Sequence, residues 1–204
     1  MILDFLMNID KSLILIIQSY GFLIYPFLFL IIFVETGLVI MPFLPGDSLL
    51  FASGALASKG LMNVFVVFLV ASSAAIIGDT INYWIGNLVG EKISQSKFVK
   101  KEQLTRTQKF YEKHGGKAII LARFIPIIRT FAPFIAGIGK MKYLKFLSFN
   151  IIGGILWTAL FIFGGFFFGN IPLIEQNFSI AIFVIIGISI LPIIIEYIRN
   201  KRKN

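Results

Sequence analysis

The sequence predicts an all-α polytopic membrane protein, with about four spanning helices, two oppositely oriented re-entrant hairpins in an inverted repeat, and a cytoplasmic amphipathic helical segment. Three observations predict it. The 204 residues are 57% hydrophobic with a mean hydropathy of +0.89, beyond the roughly 45–50% apolar share of a soluble domain. Two apolar stretches, 35–58 and 117–139, carry charged residues and are interrupted by proline, so no continuous helix is expected through either. The basic residues gather between the apolar runs and in the tail, the pattern that orients membrane chains.

Residues 2–9, ILDFLMNI, read as a short interfacial helix ahead of Asp10 and Lys11. Residues 12–34 carry no formal charge; at ~1.5 Å per residue they reach ~34 Å, enough to span. In 35–58, Glu35 and Asp47 flank a break formed by Pro42, Pro45 and Gly46. An interrupted, charged segment is tolerated at membrane depth only where it is packed in protein or lines a wet cavity, so this stretch reads as a hairpin. Residues 63–89 suit a tilted span and hold one acid, Asp79, in GDTINYWIG. The hydrophilic segment 90–116 follows. Within it, 102–114 reads as a helix with Leu104, Thr107 and Tyr111 along one side and Glu102 four residues before Arg106. Residues 117–139, KAIILARFIPIIRTFAPFIAGIG, form the second interrupted stretch, basic through Arg123 and Arg129 and expected to break at Pro126 and Pro133. Spans at 146–169 and 178–195 precede a tail holding Arg199, Lys201, Arg202 and Lys203. The chain thus reads as a single membrane domain, 1–204. Asp4 and Asp10 precede its first apolar run and no small-x-small site follows, so insertion through the first helix is expected, without a cleaved signal.

If both interrupted stretches are re-entrant, the two termini share one side of the membrane. Placing them in the cytoplasm puts all 19 basic residues there except Lys59, outside, and Arg123 and Arg129, inside the second hairpin. Two fully spanning stretches would instead export the basic loop between Lys92 and Lys117, against the positive-inside bias. The first hairpin then enters from outside and the second from the cytoplasm. The text echoes as well: Phe51-Ala52-Ser53-Gly54 follows Pro42 as Phe134-Ile135-Ala136-Gly137 follows Pro126. Matched breaks of opposite direction mark an inverted repeat, whose discontinuous segments build a substrate site near the midplane.

An unpaired charge at the centre of a membrane costs roughly 2.5–3.5 kcal/mol, so Glu35, Asp47, Arg123 and Arg129 together would cost on the order of 10 kcal/mol. That is comparable with the stability of a whole domain. Two readings follow: arginine–carboxylate pairs that merely clamp the hairpins, a poor source of stability, or a polar cavity. Arg123 and Arg129, beside a broken backbone, suit a phosphate, which the guanidinium fork binds bidentately. Carboxylates nearby would repel that anion unless protonated, so Glu35 and Asp47 are assigned proton coupling. Asp79 either joins the network or caps the hairpin, and Tyr83 and Trp84 read as packing or interfacial anchors. The combination describes a carrier of a lipid with an anionic phosphate headgroup.

Other classes fare worse. Without cysteine there is no disulfide, thiolate or Cys-ligated zinc, and the single histidine, His114, sits beside Gly115 and Gly116 as a solvated loop residue. No nucleophile elbow, metal cluster or phosphohistidine setting is present, so an enzyme is not expected, nor any cofactor beyond a gradient of protons or sodium. The net charge of +9 lies in loops and tail, which argues against a nucleic acid partner. A homo-oligomer is left open.

ETGLVIMPFLPGD, close to the pattern E-x-G-x-x-x-P-x-x-P-G-D, together with GDTINYWIG and ARFIPIIRTFAPFIAGIG, resembles the DedA family of bacterial inner-membrane proteins, related to eukaryotic VTT-domain lipid scramblases. The resemblance covers 35–139, with the step from Glu35 to Pro42 one residue longer than the pattern. It implies a multi-pass protein of the bacterial plasma membrane in which Glu35, Asp47, Arg123 and Arg129 are needed for function. Members look like lipid carriers: some return undecaprenyl phosphate to the cytoplasmic leaflet for cell-wall recycling, others move phosphatidylethanolamine, and dependence on the proton motive force is a family theme. The expectation is therefore a flippase, for undecaprenyl phosphate first, with Arg123 and Arg129 on the phosphate. A phosphatidylethanolamine flippase or scramblase, a non-transporting membrane-homeostasis factor and an ion antiporter stay open as alternatives.

Overall fold

Apolar helices, two of them long and the others short, make up the described residues. The structure, a computed structural model, describes residues 21–37, 46–94, 115–169 and 171. A 3-10 turn, Gly21–Leu23, leads into α1 (Ile24–Gly37), followed by α2 (Gly46–Ser58), α3 (Val64–Ser94), α4 (Lys117–Ala122), α5 (Pro126–Ile138) and α6 (Tyr143–Phe168). No strand occurs among the described residues. The helix expected at 2–9, the start of the span 12–34, Pro42, Pro45, the helix 102–114 with His114, and the span 178–195 lie outside the described residues.

Among the described residues, α3 and α6 are long and apolar enough to cross a membrane, over 26 residues each. At ~1.5 Å per residue each reaches ~39 Å against ~30 Å of hydrocarbon. Both helices turn their polar residues inward. Along α3, Val67, Ala71, Ser72, Ala74, Ala75, Asp79, Asn82 and Tyr83 are buried, while Phe65, Leu69, Ile77, Ile81, Trp84 and Leu88 are exposed; a mostly small and polar inner side with large apolar residues outside is the arrangement a lipid solvent selects. Along α6, Asn150 and Thr158 are buried together with the large Phe146, Trp157 and Ile162, while Ile151, Ile152, Ile155, Leu156 and Leu160 are exposed. By contrast α2, α4 and α5 hold 13, 6 and 13 residues, ~20 Å at most, and are too short to cross. Asn63 caps α3 through its Oδ1, which accepts from the amides of Phe65 (3.0 Å) and Val66 (3.2 Å).

The described helices fall into two compact units. The first holds residues 21–31, α2, α3 as far as Ser72, and α6 from Thr158. Here α2 lies directly on α6: a Cβ added to Gly54 would collide with the Ile162 carbonyl and stand 3.0 Å from the Phe166 amide, and one added to Gly165 would collide with the Phe51 carbonyl. The Ser72 and Thr158 hydroxyls share a 2.7 Å hydrogen bond, and the Phe68 and Phe163 rings lie 5.5 Å apart, so α3 and α6 run antiparallel in this unit.

The second unit holds α1 from Ile32, α3 from Ser73, α4, α5 and α6 as far as Trp157. Here α5 lies on α3 in the same register: a Cβ added to Gly137 would collide with the Tyr83 carbonyl and stand 2.7 Å from the Asn87 amide, and one added to Gly86 would collide with the Phe134 carbonyl. Phe51 and Gly54 therefore meet α6 as Phe134 and Gly137 meet α3, residue for residue. The two short helices also end alike. Gly60 (φ 75°) and Lys140 (φ 52°) are left-handed, and the next amides return to Leu56 (3.2 Å) and Ala136 (3.0 Å), the Schellman closure.

Four expected boundaries move. The helix before the first break continues through Glu35 to Gly37, because Pro42 constrains only its own preceding turn. The span expected at 63–89 runs on to Ser94, since its first charged residues mark the exit from apolar surroundings and leave helical geometry intact. The span expected from 146 starts at Tyr143. Pro133 does not break the second stretch; it sits inside α5, at the cost of one helical amide. Pro126 does break it, taking the first helical position after an extended Ile125 (φ −117°, ψ 108°).

Gly54→Ala and Gly137→Ala should each destabilise by about 1–3 kcal/mol through overpacking against backbone. Gly164→Ala, with nothing within 4 Å of its new methyl, should not. Unfolding midpoints in detergent check both.

Candidate functional site

The charged residues of the second unit converge through one close helix crossing. Gly37, the last residue of α1, lies on Gly78 of α3: a Cβ at Gly37 would stand 3.4 Å from the Gly78 Cα, and one at Gly78 would collide with the Thr36 hydroxyl. This crossing sets Glu35 and Thr36 beside Asp79 and Asn82 of α3. Asn82 fastens it. Its buried Nδ2 donates to the Thr36 carbonyl at 3.1 Å and to the Thr130 carbonyl at 2.7 Å. Since Thr36 follows Glu35 and Thr130 follows Arg129, one amide registers the ends of α1 and α5 that carry the opposite charges.

Arg129 donates from Nη2 to Glu35 Oε1, forming an ion pair in which Glu35 is 0% and Arg129 7% exposed. The guanidinium also lies over the Trp157 ring of α6, 4.8 Å from its centroid. Such a contact adds ~2 kcal/mol or more when desolvated.

Arg123 is the C-cap residue of α4 and keeps right-handed helical geometry (φ −61°, ψ −26°); the chain turns after it, at the extended Ile125 before Pro126. Its Nη2 donates to Asp79 Oδ2 and to Asn150 Oδ1. Asn150 is held in turn by donating from Nδ2 to the Ile76 carbonyl (3.0 Å) and the Thr80 hydroxyl (3.4 Å). The side chain occupies a slot cut by consecutive glycines of α6: a Cβ at Gly153 would stand 3.1 Å from Arg123 Cδ, and one at Gly154 3.3 Å from its Nη1. Arg123 Nε and Asn82 Oδ1 are buried with no hydrogen-bond partner.

The unit therefore brings together Glu35, Arg123 and Arg129 as the sequence suggests, with Asp79 as the acid that holds Arg123. Asp47 belongs to the first unit, buried in the first turn of α2 beside Gly46 and Ser48, where a carboxylate suits the positive end of the helix. Tyr83 packs with Ile119, Ala122, Ala132, Ala136 and Phe146; its ring stacks on Phe146 at 4.5 Å and its hydroxyl donates to the Met141 carbonyl. Trp84 is 44% exposed on the outer face of α3. The sequence reading missed Asn82, Asn150, Trp157 and the Gly153–Gly154 slot. A lone amide inside an apolar run is the signal that would have found the first two.

Comparisons with known proteins agree on a family. The VTT domain matches residues 44–167. The chain is 52% identical to Protein DedA of Escherichia coli (strain K12) over 206 residues, covering 98% of this chain and 94% of that protein. It is 45% identical to an uncharacterized membrane protein of Mycobacterium leprae (strain TN), over 83% of this chain and 78% of that one. Inner membrane protein YqjA of Escherichia coli (strain K12) is 33% identical over 74% and 70%. No solved structure matches the chain.

Asn82→Leu removes both donors from a buried crossing and should destabilise the protein by about 1–3 kcal/mol, read as an unfolding shift in detergent. Asn150→Leu should do the same.

Proposed function

Because this chain belongs to the DedA family of VTT-domain membrane proteins, we propose that it translocates a lipid with an anionic phosphate headgroup between membrane leaflets. Undecaprenyl phosphate, returned to the cytoplasmic leaflet, is the first candidate, and phosphatidylethanolamine the second. The observation that carries the reading is the pair of buried arginines in the second unit, both paired with carboxylates: Arg129 with Glu35 and Arg123 with Asp79.

The chemistry follows from charge balance. With both pairs ionised, the four side chains sum to zero formal charge. A phosphate monoanion that takes over a guanidinium leaves one carboxylate without its counter-charge at membrane depth, which is costly until a proton neutralises it. One proton thus accompanies each headgroup charge, and a proton gradient drives the exchange; a sodium ion would serve the same balance. The fork geometry of arginine favours phosphate as the incoming group. Glu35 is assigned the coupling proton with Asp79 beside it. Asp47 is assigned a proton-carrying role in the first interrupted segment.

The same proposal gives the chain four spanning helices, both termini in the cytoplasm, and α2 and the α4–α5 pair as hairpin arms that enter from opposite faces. It is supported by the lengths of α2, α4 and α5, too short to cross, by the shared register of α2 on α6 and α5 on α3, and by the placement of basic residues. A second reading draws on the fact that both arginines already hold carboxylates: the pairs would clamp the fold of a non-transporting membrane factor.

In liposomes carrying defined lipids, the wild-type protein should move undecaprenyl phosphate faster with an imposed pH gradient than without. Arg123→Ala, Arg129→Ala and Glu35→Ala should each lower that rate tenfold or more while the protein still inserts. Wild-type rates from these variants would defeat the transport reading, and no movement by the wild type would favour the clamp.

A further inference from the structure

Arg129 is held from two sides that respond to different events. Glu35 holds it by a charge-assisted hydrogen bond to Nη2, while Trp157 offers a ring face 4.8 Å from Cζ. The two come from different helices, α1 and α6, so one contact can break without moving the other. Trp157 is 1% exposed and the largest fully buried side chain among the described residues. The carboxylate bond is lost when Glu35 takes a proton or when a phosphate replaces it. The attraction of a cation to the ring face involves no proton and no exchangeable atom, and burial strengthens it. The other buried ion pair of the unit, Arg123 with Asp79, is separately fixed by Asn150 and the glycine slot.

We propose that Trp157 is a positioning residue for Arg129: its ring face is the seat on which the guanidinium stays while the bond to Glu35 is exchanged. The exchange step rests on the transport reading above; the seat itself does not. Trp157 would thereby keep the arginine presented to a phosphate at the moment its carboxylate partner is neutral.

The chain has two tryptophans, Trp84 and Trp157, so Trp84→Phe leaves the full-length protein with Trp157 as its only indole. In nanodiscs, the emission of Trp157 should be changed by Arg129→Gln and, as a second variant that keeps the charge without the planar fork, by Arg129→Lys. Glu35→Gln should leave it near the parent spectrum, because the seat survives loss of the carboxylate. An equal change with Glu35→Gln, or no change with either Arg129 variant, overturns the proposal. A second arm replaces Trp157 by tryptophans of increasing fluorination, which keep the shape and weaken the ring face. Lipid transport should fall stepwise, about tenfold across the series; a flat series overturns the proposal. If the wild type moves no lipid, the function reading fails and the emission arm alone decides the seat.

Discussion

The Glu35–Arg129 ion pair is the constraint from which the second unit can be understood. Neither charge can stand alone at membrane depth, and the pair is buried from both sides. Its formation requires the end of α1 and the first turns of α5 to arrive together on α3. Gly37 and Gly78 permit the approach, and Asn82 holds the resulting register by donating to the carbonyls beside each charged residue. A buried pair of this kind is a weak source of net stability compared with apolar residues of the same volume. The surrounding glycine contacts and amide bonds therefore fix the placement of the two charges.

The two arginines are placed by different means. Arg129 lies between a carboxylate and an aromatic face. Arg123 occupies a glycine slot, with Asp79 and Asn150 sharing its Nη2 and Nε left without a hydrogen bond. Arg123 closes α4 in right-handed helical geometry (φ −61°, ψ −26°), whereas Arg129 projects from the helix that begins at Pro126. The proline turns the chain between the two, through the extended Ile125 before it. The sorted face of α3 serves the same end: small inward residues allow the close contacts, and the large outward ones meet lipid.

Much of this was legible from the residues. Charges in apolar stretches identify Glu35, Arg123 and Arg129, because an ion in hydrocarbon demands an explanation that a loop charge does not. The Phe-x-x-Gly echo anticipates the shared register of α2 on α6 and α5 on α3, because a glycine in a short apolar helix marks close approach of backbones. Asp79 was legible as one of two alternatives, a member of the network or a cap of the hairpin, but not as the partner of Arg123. Asp47 shares the interrupted setting of Glu35, but Arg123 pairs with Asp79 of a continuous span, a choice made by the helix crossing and invisible to spacing. Asn82, Asn150 and Trp157 escaped for a related reason: neutral side chains in apolar helices carry no charge penalty to announce them. The break expected at Pro133 failed because a single missing amide is tolerated within a packed helix.

The account makes exchange of the Glu35–Arg129 bond, rather than its presence, the working step. The double variant Glu35→Gln/Arg129→Gln tests the step, since it removes both charges together and leaves no unpaired ion in their place. Its leaflet-to-leaflet transport of undecaprenyl phosphate under a pH gradient is the most direct measurement. The account predicts a protein that inserts and stays folded but moves no lipid. Transport at the wild-type rate would show that the pair only clamps the fold and would contradict the account.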